Sequence, residues 1–278
     1  MNNKSFVKCP VNFSGNKYKL LDQIIPLFPK KIDRFIDACG GSFTVGCNIQ
    51  ADEIIYNEID TKVFNLIKYL ATCDYNIENL KIKNIISEFN LSKNNKEGFQ
   101  ALRGRYNSSH DNVLLYVLSA YSFNYQIRFN NSGDFNMAYG NRSYSVNMEN
   151  NFKLFNNVCK NKNISFVNKD FKELCVNKTD FIYVDPPYSQ TIATYTERAL
   201  WTETKERGMY CWLDKLSNNN IRWALSNTSI YRDNVNIMLL EWAKKYNIHF
   251  LDFNYKNNNR FYKNNKLQTK EILITNYK

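Results

Sequence analysis

Asp180-Phe181-Ile182-Tyr183-Val184-Asp185-Pro186-Pro187-Tyr188 is the stretch whose reading decides the fold. Four consecutive apolar residues between two aspartates have the length and composition of a strand buried on both faces, and the two prolines stop it. Arg34-Phe35-Ile36-Asp37-Ala38, running into Cys39-Gly40-Gly41-Ser42, repeats the pattern upstream. Ile54-Ile55-Tyr56, ending at Asn57-Glu58, reads as a third strand, followed by a helical spacing through Val63, Leu66, Ile67 and Leu70. Strand and helix in alternation imply a doubly wound α/β sheet. Later runs, Ile221 to Leu225 and Glu271 to Ile274, complete that sheet, with a helix expected over Val235 to Tyr246 between them. The segment from about Thr72 to Lys162 breaks the rhythm and is read as a mainly helical inserted subdomain. The Asn/Lys-rich stretch from Asn254 to Lys266 reads as a loop.

In open α/β sheets ligands gather beyond the carboxyl ends of the strands, so Asp185-Pro186-Pro187-Tyr188 lies where chemistry is expected. Its parts suit an exocyclic amine. A carboxylate and a backbone carbonyl that accept the two N–H hydrogens of such an amine turn its lone pair toward an electrophile. Asp185 supplies the first acceptor and the Pro186 carbonyl the second, held by the stiff φ of consecutive prolines. Tyr188 offers a flat face for a base. The competing reading is a rigid turn with no ligand. Asp37 to Ser42 forms a second constellation: a strand feeds a glycine turn that lets a ligand approach the backbone. Glu58 follows Gly40 at a spacing close to that at which an acidic residue reaches ribose hydroxyls. The pattern lacks the Gly-x-x-x-x-Gly-Lys-Ser/Thr phosphate cradle, so a nucleoside without phosphate satisfies it. Near the start, Asn12-Phe13-Ser14-Gly15-Asn16-Lys17-Tyr18 places a lysine ahead of a helix. Lys17 there is either a partner for a ligand carboxylate or a solvated side chain.

Composition narrows the classes further. The 278 residues carry 37 Lys+Arg against 26 Asp+Glu, a net charge of +11, with 44% hydrophobic content, which excludes a disordered or collagen-like chain. The charge fits a polyanionic partner but equally a well-solvated surface. The seven cysteines never form a Cys-x-x-Cys pair and there are two histidines, so neither a disulfide framework nor a metal site is expected. The sequence lacks a run of about 18 apolar residues and an apolar leader, which reads as a soluble, cytoplasmic protein without membrane association.

These motifs fall in the order found in the Dam-like DNA adenine-N6 methyltransferases, and the sequence resembles that family over nearly its whole length. Gly15-Asn16-Lys17-Tyr18 resembles the opening motif, Phe35-Ile36-Asp37 with Gly41-Ser42 the S-adenosylmethionine loop, and Asn57-Glu58-Ile59-Asp60 the ribose-binding turn. Phe123-Asn124, Arg128-Phe129-Asn130 and Gly133 through Gly140 resemble the target-recognition tract. Asp170-Phe171 resembles the short motif that holds the cofactor adenine, and Leu225-Ser226-Asn227 and Lys270 through Tyr277 resemble late strands. The sequence departs from the family pattern in places: Ala38-Cys39 stands where Pro-Phe is common, Phe43 where a glycine is usual, and Met137-Ala138 where a residue-Pro pair is usual. Phe13 replaces a frequent Trp and keeps an aromatic face.

The resemblance implies a Rossmann-like methyltransferase sheet: a catalytic domain over 1–71 and 163–278, and a target-recognition subdomain over 72–162. It implies transfer of a methyl group from S-adenosylmethionine to adenine N6 in double-stranded DNA after base flipping. Asp185, Pro186, Pro187 and Tyr188 would carry the chemistry. Phe13, Asn16, Lys17, Asp37, Cys39, Gly40, Gly41, Ser42, Glu58, Asp170, Phe171 and Asp185 would bind cofactor. Asn124, Arg128, Asn130 and Arg142 would bind DNA, with Arg128 the candidate for a bidentate guanine contact or else a phosphate or internal carboxylate partner. It also implies a cognate restriction endonuclease in the same system and a monomer or weak dimer. Cytosine-N4 or RNA adenine methylation, or a DNA-binding regulator that keeps the fold without turnover, are the rival readings.

Overall fold

A computed structural model describes residues 6–13, 15–188, 201–252 and 268–278. The stretch Asn254 to Lys266 read as a loop lies outside the described residues. The sheet runs in the order β3-β2-β1-β4-β5-β8-β7, with β6 attached to β5. Strands β1 (Arg34–Asp37), β2 (Glu53–Asn57), β3 (Ile164–Val167), β4 (Asp180–Val184) and β5 (Arg222–Tyr231) are mutually parallel. β6 (Asn234–Val235) pairs antiparallel with β5, while β8 (Lys270–Thr275) runs antiparallel between β5 and β7 (Asn247–Leu251). The short runs at β3 and β7 carry no alternation that distinguishes them from loops, and neither was expected from sequence.

β4 is buried at all five positions because both of its faces are covered. Phe181 and Tyr183 pack with Phe28 and Phe35 on one face, while Ile182 and Val184 join Met209, Leu213, Trp223 and Ile272 on the other. At its start Asp180 receives Arg34 in two parallel bonds of 2.8 and 2.6 Å, which set the register of β1 against β4. β1 continues to β2 on one side, and β4 to β5 on the other. The order reverses between β1 and β4, so the crevice lies at their carboxyl ends.

Between β2 and β3 the chain makes helices α2 (Thr61–Thr72), α3 (Tyr75–Glu88), α4 (Lys96–Ser109), α5 (Asn112–Tyr121) and α6 (Val146–Lys160), after a short α1 at Leu21–Ile24. Each of α2 to α6 begins at an Asp, Asn or Ser whose side chain accepts from a first-turn amide: Asp60, Asp74, Asn95, Asp111 and Ser145. α5 is buried from Val113 through Tyr121, the pattern of a helix enclosed by its neighbours. Its side chains share one apolar core with Phe35, Phe43 and Tyr183, so the inserted helices are continuous with the sheet layer. The opposite face is covered by α7 (Glu203–Asn218) and α8 (Ile237–Ala243). The helix expected from Val235 to Tyr246 is thus shorter: Val235 pairs in β6, and Asn236 caps the helix through the Leu239 amide.

Candidate active site at the strand switch point

β1 ends at Asp37 and β4 at Val184, one residue before Asp185, which places the two carboxylates at one edge of neighbouring strands. Lys17 reaches them from the N-terminal segment. Its ammonium lies 2.9 Å from Asp185 Oδ1, 2.6 Å from the Gly15 carbonyl and 4.9 Å from the centroid of the Tyr188 ring. Lys17 is 3% exposed, so it is no solvated surface lysine. Its partner here is Asp185. The Tyr188 hydroxyl lies 3.0 Å from Asp185 Oδ1, and the ring is buried, with one face turned to the lysine.

Burial raises the Asp185 carboxyl above the usual carboxylate range, against the opposing pull of Lys17 and the Tyr188 hydroxyl. Asp37 is raised well above that range, first by burial and then by the charge of Asp185, with the Gly46 amide partly offsetting. The buried Asp37 and the partly buried Asp185 line one concavity with the Lys17 ammonium, which pairs with Asp185, and a ligand that brings a cation relieves both carboxylates.

The cofactor-loop residues lie beside them. Lys17, Asp37, Cys39, Gly40, Ser42 and Asp185 line one concavity. Glu58 accepts the Gly41 amide at 2.9 Å on one oxygen and the Asp60 amide at 2.9 Å on the other, which ties the glycine turn to the end of β2. The buried Asn57 acts as a brace that sequence reasoning had not singled out. Its amide donates to the carbonyls of Ala38 at 2.8 Å and Lys169 at 3.1 Å, and its Oδ1 accepts the Lys169 amide at 3.1 Å. Asp170 therefore follows a pinned residue and caps the turn carrying the buried Phe171 ring. Phe13 and Asn16 lie just before Lys17, where the Asn16 side chain donates to the Phe13 carbonyl at 2.9 Å.

Phe43 has φ +56, a backbone conformation costly for a residue with a side chain, which gives the physical reason for glycine at this place. Its buried ring compensates by packing on Tyr56 at 4.8 Å and over Gly46, where a Cβ would collide with it. Gly40 is restricted in the same way, because a Cβ there would enter the Tyr56 ring, itself tied to the Gly41 carbonyl at 2.9 Å. Gly40→Ala is expected to destabilise the protein by ~1–3 kcal/mol, read by thermal melting; an unchanged melt would show that Tyr56 yields.

The recognition-tract residues lie on one hairpin region. Arg128 donates through Nε to Asn136 Oδ1 at 2.8 Å and through Nη2 to the Asn136 carbonyl at 2.9 Å, so its guanidinium plane is held by an amide and not by a carboxylate. Asn130 Oδ1 accepts the Asp134 amide at 2.8 Å and shapes the turn. Arg142 stacks over Tyr125 at 5.3 Å. Asn124 and Tyr125 both have positive φ, +54 and +58, and the Asn124 carbonyl accepts the Asn12 side chain at 2.9 Å, joining this loop to the segment that bears Lys17. Ala138 holds the base of the hairpin by accepting the Phe123 amide at 2.8 Å.

Residues 13–264 match the family model described as D12 class N6 adenine-specific DNA methyltransferase. The chain belongs to this family. Among similar proteins are modification methylase StsI of Streptococcus sanguinis, 39% identical over 99% of this chain and 43% of its own length, and type II methyltransferase M.FokI of Planomicrobium okeanokoites, 38% identical over 98% and 43%. DNA adenine methylase of Serratia marcescens is 27% identical over 73% of each chain. This D12-class chain thus spans less than half the length of the first two relatives. Among its described residues no helix is long and apolar enough to cross a membrane.

Proposed function

We propose that the chain transfers the methyl group of S-adenosylmethionine to adenine N6 in double-stranded DNA, on a base flipped out of the stack. The observation that carries this reading is the meeting of Lys17, Asp37, Asp185 and Tyr188 at the carboxyl edge between β1 and β4. The acid-rich donor set fits the cofactor, which supplies an electrophilic methyl group on a sulfonium together with a cationic amine. Asp37 and Asp185 gain from that positive charge. Glu58, its oxygens held by the Gly41 and Asp60 amides at the end of β2, is the carboxylate placed to take ribose hydroxyls. Gly40, Gly41, Ser42 and Cys39 form the wall a nucleoside would lie against, with Phe171 as its apolar contact and Phe13 and Asn16 at the entrance.

Asp185 and the Pro186 carbonyl accept the two amine hydrogens of the target base, and Tyr188 stacks on its ring. The chain provides orientation rather than a covalent nucleophile, in keeping with the cysteines near the loop: burial raises the Cys39 and Cys47 thiols well above their ordinary range. The 72–162 segment is the DNA-recognition part, and Arg128, its plane set by Asn136, is the base reader, with Asn124, Asn130 and Arg142 around it. Double-stranded DNA is the proposed partner, alongside a restriction endonuclease of the same specificity.

Incubation with duplex DNA and methyl-labelled cofactor, followed by nucleoside mass spectrometry, is expected to give N6-methyladenine. N4-methylcytosine, label confined to RNA, or no transfer at all would contradict the reading. Arg128→Ala is expected to lose ~1–3 kcal/mol of discrimination at a single base position, measured as relative kcat/KM across substituted duplexes; an equal loss on every sequence would make it a phosphate contact.

A further inference from the structure

β8 runs against the parallel strands, so its first residues arrive at the same edge as the last residues of β1 and β4. Glu271, the second residue of β8, stands there opposite Thr228 and is 8% exposed. A buried carboxylate at the start of a strand is costly unless it accepts hydrogen bonds. The Tyr188 hydroxyl lies 3.3 Å from Glu271 Oε2 and 3.0 Å from Asp185 Oδ1. The phenol has one hydrogen to give, so two carboxylates compete for it: one that belongs to the proposed acceptor pair and one that does not.

A stacking ring must keep its position and its plane: a hydrogen bond at the phenol oxygen fixes the first, and because the phenolic O–H prefers to lie in the ring plane, the direction of its acceptor biases the second. Lys17 fixes the same ring from one side at 4.9 Å. Asp185 alone is a poor anchor, because the proposed amine and Lys17 compete for its oxygens, whereas Glu271 sits on a different strand and keeps its hold while Asp185 is engaged.

We propose that Glu271 is a positioning residue for methyl transfer, which holds the Tyr188 hydroxyl so that the ring stays in place to receive the target base. This rests on the methyltransferase reading above. Glu271 touches neither the base nor the cofactor and acts through Tyr188.

Single-turnover kinetics on duplex DNA test it with Glu271→Leu, Tyr188→Phe, the double variant and Glu271→Gln. Glu271→Leu and Tyr188→Phe are each expected to lower the transfer rate about tenfold with the cofactor KM unchanged, and the double variant to be no slower than either, since both cut one link. Glu271→Gln, whose amide carbonyl still accepts the phenol hydrogen, is expected to recover most of the loss. Multiplying losses in the double variant, or a Glu271→Gln as slow as Glu271→Leu, would overturn the proposal. Tyr188→Phe keeps the ring and serves if Glu271→Leu does not fold: a wild-type rate there also overturns it. Crystal structures of Glu271→Gln and of Tyr188→Phe decide without reference to activity. The side chain at position 271 still bonded to the Tyr188 hydroxyl in the former, and a rotated ring in the latter, are expected. A ring that stays unmoved in Tyr188→Phe refutes the anchor even if the wild-type protein transfers no methyl group, an outcome that would instead refute the function.

Discussion

Asp185→Asn is expected to slow single-turnover methyl transfer by ~10²–10³-fold, a larger effect than the weakening of cofactor binding that follows from losing one of the two carboxylates near its positive charge. Asparagine keeps the volume and one carbonyl acceptor but turns an NH2 donor toward groups that are themselves donors, the amine of the target base and the Lys17 ammonium 2.9 Å away. The other carboxylates assigned to the cofactor side, Asp37 and Glu58, stay where their backbone bonds hold them. Rapid-quench transfer of a labelled methyl group, with cofactor affinity measured by titration calorimetry, separates the two effects. A variant that still transfers within a few-fold of wild type would remove Asp185 from the reaction.

The second large effect falls on stability. Lys17→Met is expected to cost ~3–5 kcal/mol, because it leaves Asp185, one-fifth exposed and already raised by burial, without the ammonium paired to it. The loss depends on pH with a definite sign. Lys17 opposes the burial that raises Asp185, so without it the folded-state affinity of Asp185 for a proton rises further above its unfolded value. A group raised in the folded state contributes stability once protonated and loses that contribution as pH rises through its folded value. The deficit of Lys17→Met is therefore largest in mildly alkaline buffer and shrinks as pH falls. Urea unfolding of both proteins across that range measures it; a deficit that grows on acidification would mean Lys17 does not compensate Asp185.

The parallel part of the sheet was legible because its strands are buried on both faces and so read as continuous apolar runs: Phe181 through Val184 and Phe35-Ile36 have no alternative placement. The carboxyl-edge position of Asp185 and Asp37 follows from that alone. Other features depend on contacts distant in sequence. β3 and β7 are short and half-exposed, and take their conformation from the neighbours they pair with. Lys17 is followed at once by a helical turn, which reads as a surface position, and only the fold brings it to Asp185 from the far end of the chain. Glu271 was invisible as a site residue because a strand's direction is not written in its composition, and only the reversal of β8 carries its N-terminal end to the active edge. Phe43 is the converse case: a departure from the family glycine visible in sequence, whose compensation, a ring packed on Tyr56 and over Gly46, is visible only in three dimensions.

The central claim is that Asp185 and the Pro186 carbonyl receive the amine of a flipped adenine. A crystal structure of the protein with duplex DNA and a methyl-depleted cofactor product tests it most directly. The expected result is the adenine N6 within about 2.7–3.2 Å of both Asp185 Oδ and the Pro186 oxygen, with the Tyr188 ring against the base. A target base bound elsewhere, with the Lys17–Asp185 pair undisturbed and the amine far from both acceptors, would contradict it.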